Sequence, residues 1–173
     1  MNDSAIYAVY LIWLLAGGLD FACHRRTDLA STSGLRESAL HLLQLALMGG
    51  GIVLWLALPI GRALLAVLVV VVAAHAVLGY LDTRQAYGRR DIRPFEQHLH
   101  SVLDIAPVAA LCWVAVTTAG GADDERITPL PVRTWAAVLV PAVALCVIPA
   151  CLEFRHAWTV ARAGAPSARP VRG

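Results

Sequence analysis

Residues 95–104 read FEQHLHSVLD, in which Glu96, His100 and Asp104 stand at i, i+4 and i+8. On a helix that spacing puts all three side chains on one face. Three other places repeat the chemistry. Asp20 and His24 are four residues apart, as are Glu37 and His41, and His75 and Asp82 are seven apart, two turns along one face. Together they make five carboxylates and four imidazoles with no thiolate, a donor set for iron, manganese or zinc ahead of copper(I). Nine donors fit two transition-metal ions, or three where bridging carboxylates are shared, with iron favoured over zinc and manganese.

In this reading Asp20, Glu37, Asp82, Glu96 and Asp104 bind or bridge the metals, and His24, His41, His75 and His100 are terminal ligands. Glu37 and Glu96 sit at the reacting centre, and Tyr80, close to Asp82, donates a hydrogen bond or an electron. Each pair alone has a plainer explanation. An aspartate can pair with a loop arginine, and a glutamate is favoured near a helix N-terminus by the dipole. His75 escapes such explanations, because it lies inside VVVVAAHAVLGY, where an ionisable group is a functional candidate by default. His98, one step off the Glu96/His100 face, is read as an outer partner or a surface group.

The elements that must carry these residues are membrane helices. Of the 173 residues 58% are hydrophobic and only 15% charged, against about a quarter charged in a soluble domain. The apolar residues gather into five runs, 4–22, 39–59, 62–81, 99–119 and 134–152, each near the 20 or so residues that span a bilayer. An all-α integral membrane protein follows, since in lipid a helix satisfies its own backbone. Residues 1–154 form one five-helix domain, and 155–173 a basic, partly disordered cytoplasmic tail suited to anionic lipid. Helix 5 has no ionisable residue between Thr134 and Leu152 and is read as packing outside a bundle of helices 1–4. Gly49, Gly50 and Gly51 in the second run suggest close helix approach or a point that admits substrate.

All 14 basic residues are arginine, and 11 of them lie in loop 1–2, loop 3–4 and the tail. The positive-inside rule then places the N-terminus outside and the C-terminus in the cytoplasm of an inner-membrane protein. Because the arginines follow topology and form no dense patch, a nucleic-acid partner has no support. The first run lacks a basic leader and is followed by Arg25–Arg26, as in a retained helix. Cys23, Cys112, Cys146 and Cys151 form no CxxC pair, so no disulfide framework is expected.

The two hairpins also echo one another. LDFACHRRTDLASTSGLRESALH (19–41) and LDTRQAYGRRDIRPFEQHLH (81–100) both open on Leu-Asp, pass through Arg-Arg and an aspartate, and close on E-x-x-L-H. Asp20 matches Asp82, Glu37 matches Glu96 and His41 matches His100. A duplicated hairpin predicts that helices 1–2 and 3–4 are related by a pseudo-two-fold axis.

The architecture resembles ferritin-like di-metal proteins, with E-x-x-x-H here in place of their E-x-x-H, and implies a carboxylate-bridged pair in a helical bundle. Ligands on the cytoplasmic side also resemble membrane hydroxylases and desaturases, though the HxxxH and HxxHH boxes of those enzymes are absent. The function expected is a di-metal, di-iron oxidoreductase acting on a lipid or other hydrophobic molecule, served by a redox partner. One alternative is a zinc-dependent intramembrane hydrolase with the same ligands, its two metals activating water. Another is a non-enzymatic haem electron carrier gripped by His41 and His100, or a metal transporter.

Overall fold

The computed structural model describes residues 3–120 and 130–164, so the last nine residues of the tail lie outside it. The described residues form helices and loops with no strand. Five helices are long and apolar enough to cross a membrane: α1 (Ser4–Arg26), α2 (Gly34–Ala57), α3 (Arg62–Ala86), α4 (Pro94–Ala119) and α5 (Val132–Arg162). Each of α1 to α4 runs several residues beyond its apolar core at the end carrying loops 27–33 and 87–93, here called the arginine-rich end. Those extra turns hold the acids and imidazoles. Residues 155–162, assigned to the tail from sequence, continue α5 as helix.

The helices close into a ring. Helix α1 packs on α4, α4 on α3 and α3 on α2, while α5 packs on both α2 and α1. Helices α1 and α2 scarcely touch each other. This corrects the expectation that α5 lies outside a four-helix bundle. It fills the gap between α1 and α2, and the bundle is incomplete without it.

Small residues let α5 approach. A side-chain carbon added at Gly18 would come within 3.1 Å of the Leu145 carbonyl oxygen, and one at Gly17 within 3.1 Å of Cys146 Sγ. The α5 segment facing these glycines is a π-turn, Val143–Val147, two residues after Pro141. Tyr7 and Tyr10 fasten the other end of the interface by donating their hydroxyls to the Ala137 and Val138 carbonyls, at 3.0 and 2.8 Å. On the far side, Gly51 of α2 brings that helix against Val71 of α3, where an added carbon would stand 3.3 Å from Val71 Cγ1. The glycine run thus serves close packing at Gly51, while Gly49 lines a cavity.

Loop 87–93 has a defined turn. Helix α3 ends at Ala86, and Gly88 takes a left-handed conformation (φ 70°), the usual stop signal for a helix. The Arg89 and Arg90 amides then both donate to the Ala86 carbonyl, folding the loop back over the helix end. Arg93 is extended, as a residue before proline must be, and Pro94 opens α4. The turn therefore returns Arg90 to the interior.

Candidate metal centre

At the arginine-rich end the ring holds a buried polar cluster drawn from all five helices. Asp20 and His24 come from the last two turns of α1, Glu37 and His41 from the first two of α2, and Asp82 from the last turns of α3. Glu96 and His100 open α4, and α5 contributes Glu153. Glu37 and Glu96 are completely inaccessible, and Asp20, His24, His41 and Asp82 are buried.

Glu153 organises the centre. Its carboxylate lies between two imidazoles, accepting from His24 Nδ1 at 2.9 Å and from His41 Nδ1 at 2.8 Å. Ser38 donates to the same carboxylate at 3.1 Å. A carboxylate can only accept here, so both rings carry their proton on Nδ1 and turn Nε2 inward. The rings lie parallel, 10° apart in plane, with centroids at 4.6 Å, and Phe21 stands edge-on to both. An outer carboxylate that fixes the tautomer of a ligating histidine is a recurrent feature of metal sites. Here one carboxylate holds two imidazoles.

The inward nitrogens meet acids. His24 Nε2 lies 3.3 Å from Asp20 Oδ2 and 3.4 Å from Glu96 Oε1, and His100 Nε2 lies 3.2 Å from Asp20 Oδ1. His41 Nε2 faces Asp82 at 3.1 and 3.2 Å. His24 Nε2, His100 Nε2, Asp20 Oδ1, Glu37 Oε2 and Glu96 Oε2 are buried without an aligned hydrogen-bond partner among the described residues. Metal–ligand bonds of about 2.0–2.2 Å put neighbouring ligand atoms roughly 2.8–3.6 Å apart, at right-angle to tetrahedral geometry. The observed separations fall in that interval.

Two groupings emerge at the inner face. Asp20, His24, Glu96 and His100 offer ligand atoms within 4.8 Å of one another, and so do Glu37, His41 and Asp82. A third grouping, His24, His41 and Glu153, is the clamp between them.

Arg90 closes the cluster from the loop. Its guanidinium pairs with Glu37 Oε1, from Nε at 2.9 Å and from Nη2 at 2.7 Å, and with Glu96 through Nη1. Burial disfavours its charge, but hydrogen bonds and charge pairing with Glu37, then Glu96, outweigh that and hold its pKa above the ordinary arginine value.

Seven of the nine metal-ligand candidates come together: Asp20, His24, Glu37, His41, Asp82, Glu96 and His100. Two do not. His75 and Asp104 belong to none of the three groupings and line a cavity instead. Tyr80 also stands apart, 68% exposed on the outer side of α3 and without a bond to the cluster. Helical periodicity places His75 and Asp104 on suitable faces but does not give their depth, while Tyr80, two residues before Asp82, lies about 160° round the helix from it. His98 and His156 are exposed.

Sequence reasoning missed Glu153 and Arg90. Glu153 follows directly on the apolar run, and its one signal is His156 three residues on, an E-x-x-H spacing in which the structure buries the acid and leaves the histidine exposed. Arg90 belongs to an Arg-Arg pair that topology already explained. Its one available signal was the hairpin echo, in which an Arg-Arg pair precedes each E-x-x-L-H.

The cluster opens toward the bundle interior on a cavity of about 260 Å3. Asp20, His41, Asp82 and His100 form its polar end, and Leu45, Met48, Ile52 and Val143 are among the residues of its apolar wall. No known protein family, curated protein or solved structure matches the chain.

Proposed function

We propose that this protein is a membrane-embedded di-metal oxidoreductase, with two irons near the cytoplasmic face and a hydrophobic substrate. The observation that carries the reading is the shared Glu153 clamp, which turns the Nε2 atoms of His24 and His41 toward separate sets of carboxylates. With Nδ1 protonated, each Nε2 either takes a second proton or presents a lone pair to an acid. Two stacked imidazolium ions at 4.6 Å would repel each other and depend on the flanking acids alone, whereas a cation beside each ring would answer both the lone pair and the acids.

Charge balance fits the same count. Asp20, Glu37, Asp82, Glu96 and Glu153 face one arginine and three imidazoles, and where the imidazoles are neutral ligands four negative charges need compensation, which two divalent cations would supply. Buried charge of that size without counter-ions is expensive. The first grouping offers two histidines and two carboxylates, the second one histidine and two carboxylates, ligand types that suit iron. Two bound irons would supply oxygen-activating chemistry, and electrons would come from a redox partner. The chain's own part is to hold the ligands, fix the imidazole protons and offer an apolar cavity beside them.

A duplicated hairpin would fit the same picture. Asp20 meets His100 and Asp82 meets His41, contacts that would exchange under the proposed pseudo-two-fold, and the matched Glu37 and Glu96 both pair with Arg90. The arginine content of this end fits a cytoplasmic location. The haem reading loses support, because the Nε2 atoms of His41 and His100 already face carboxylates.

Elemental analysis of the purified protein tests the proposal. About two transition-metal ions per chain are expected, and less than half an equivalent would end it. Iron favours redox chemistry, while zinc alone would transfer the site to hydrolysis. His24→Ala should lose metal, and His75→Ala and His156→Ala should keep it. Equal metal in all three variants defeats the ligand assignment.

A further inference from the structure

Two cavities among the described residues meet at one place. The inner cavity beside the cluster and a groove on the outside of α3 and α4 share His75, Gly79, Thr83 and Asp104. The outer groove continues over Val72, Ala76, Tyr80 and Val108, of which Tyr80 and Val108 are 68% and 47% exposed. Gly79 is the threshold. An added side-chain carbon there would sit 3.2 Å from Asp104 Oδ1 and 3.9 Å from Gln44 Oε1, so a side chain at this position would crowd Asp104 and narrow the gap between the helices.

Asp104 is the unusual residue. It lies 10 residues into α4, is exposed on the outer groove, and has no hydrogen bond or ion pair among the described residues. A carboxylate at mid-helix in a membrane span costs about 2.5–3.5 kcal/mol on insertion scales, and such residues mark substrate or ion routes. His75, buried and equally without a hydrogen bond among the described residues, faces the same passage.

Resting on the di-metal reading, we propose that the gap between α3 and α4 at Gly79 is a lateral portal for a single-chain amphiphile with a hydrogen-bond-donating head, an alcohol or an amine. Asp104 accepts from the head and His75 receives it at the threshold, while the chain passes into the cavity toward Met48 and Ile52. The cavity, about 260 Å3, lies just below the common range for ligand pockets, roughly 300–1,000 Å3, room for one slim chain. Small residues line the way in: Ala76 on the outer rim, Gly79 at the threshold and Gly49 on the cavity wall.

The test is photolabelling of the full chain in vesicles with a long-chain alcohol bearing a terminal diazirine, with peptide mapping of the label. Wild type should be labelled in residues 45–53, and unlabelled alcohol or alkylamine should compete where the methyl ether does not. Gly79→Leu and the exposed Ala76→Phe should each abolish that label while metal content stays at the wild-type value. Asp104→Leu should remove the preference for alcohol over ether. Undiminished inner labelling in both blocking variants overturns the portal, and equal competition by the ether overturns the head-group assignment. Portal-dependent labelling of a protein that carries no metal would leave the portal standing and remove the di-metal reading instead.

Discussion

Glu153→Ala is expected to strip both of the proposed metals from the protein, although Glu153 need not touch either. Its carboxylate holds the Nδ1 protons of His24 and His41 and the Ser38 hydroxyl, and the side chain is 7% exposed. Removing it leaves three buried donors without partners, at about 1–3 kcal/mol each, and frees both rings to turn. Loss of an outer partner costs roughly 10–100-fold in metal affinity at a single ligand, and here two ligands lose theirs together. Glu153→Gln is the sharper experiment. The amide oxygen can accept from one imidazole only, and the amide NH2 must donate to the other, which forces that ring to carry its proton on Nε2, where it cannot ligate. One metal ion per chain should remain in place of two, by elemental analysis and by the loss of any signal from coupled iron spins. Two retained ions in the glutamine variant would sink the clamp.

Arg90→Met is expected to be the most damaging substitution for the fold. Glu37 and Glu96 have no accessible side-chain surface, and Arg90 itself is 1% exposed at the side chain. Breaking a buried pair by removing one partner costs about 3–5 kcal/mol, because the remaining charge has no counter-ion; here two carboxylates are left. The thermal midpoint in detergent should fall steeply, and in metal-depleted protein as well, which separates the effect from metal loss. Arg90→Lys should recover only part of it, since an ammonium cannot offer the planar fork that reaches both acids. Full recovery by lysine would mean that charge alone suffices and that the bridging geometry is dispensable.

The spans were legible because a membrane helix is read from length and composition: 4–22, 62–81, 99–119 and 134–152 each fall within a helix of the structure, and 39–59 overruns α2 by two residues, Leu58 and Pro59. The helix ends were harder. Polar turns such as 20–26 and 94–98 lower the local hydropathy but remain helical because tertiary partners satisfy them. The donors at i, i+4 were legible for the same geometric reason, and Asp20/His24, Glu37/His41 and Glu96/His100 come together as spaced. Depth and ring order were not. Nothing in Tyr80, His75 or Asp104 says which side of α3 or α4 meets a neighbour until the neighbours are known. Nor could α5 be placed between α1 and α2 from an apolar run whose single acid lies just beyond its end.

The π-turn at Val143–Val147 has a bearing on how this chain tolerates changes in length. Such a turn carries one residue more than the α-turn it replaces. A single-residue deletion within it can therefore be absorbed by a return to ordinary helix, with Ala150, Glu153 and Ala157 still facing inward. The same deletion between Ile148 and Glu153 turns the carboxylate by about 100° away from the imidazoles. In the register of α5, one stretch of five residues is spare and the next six are not.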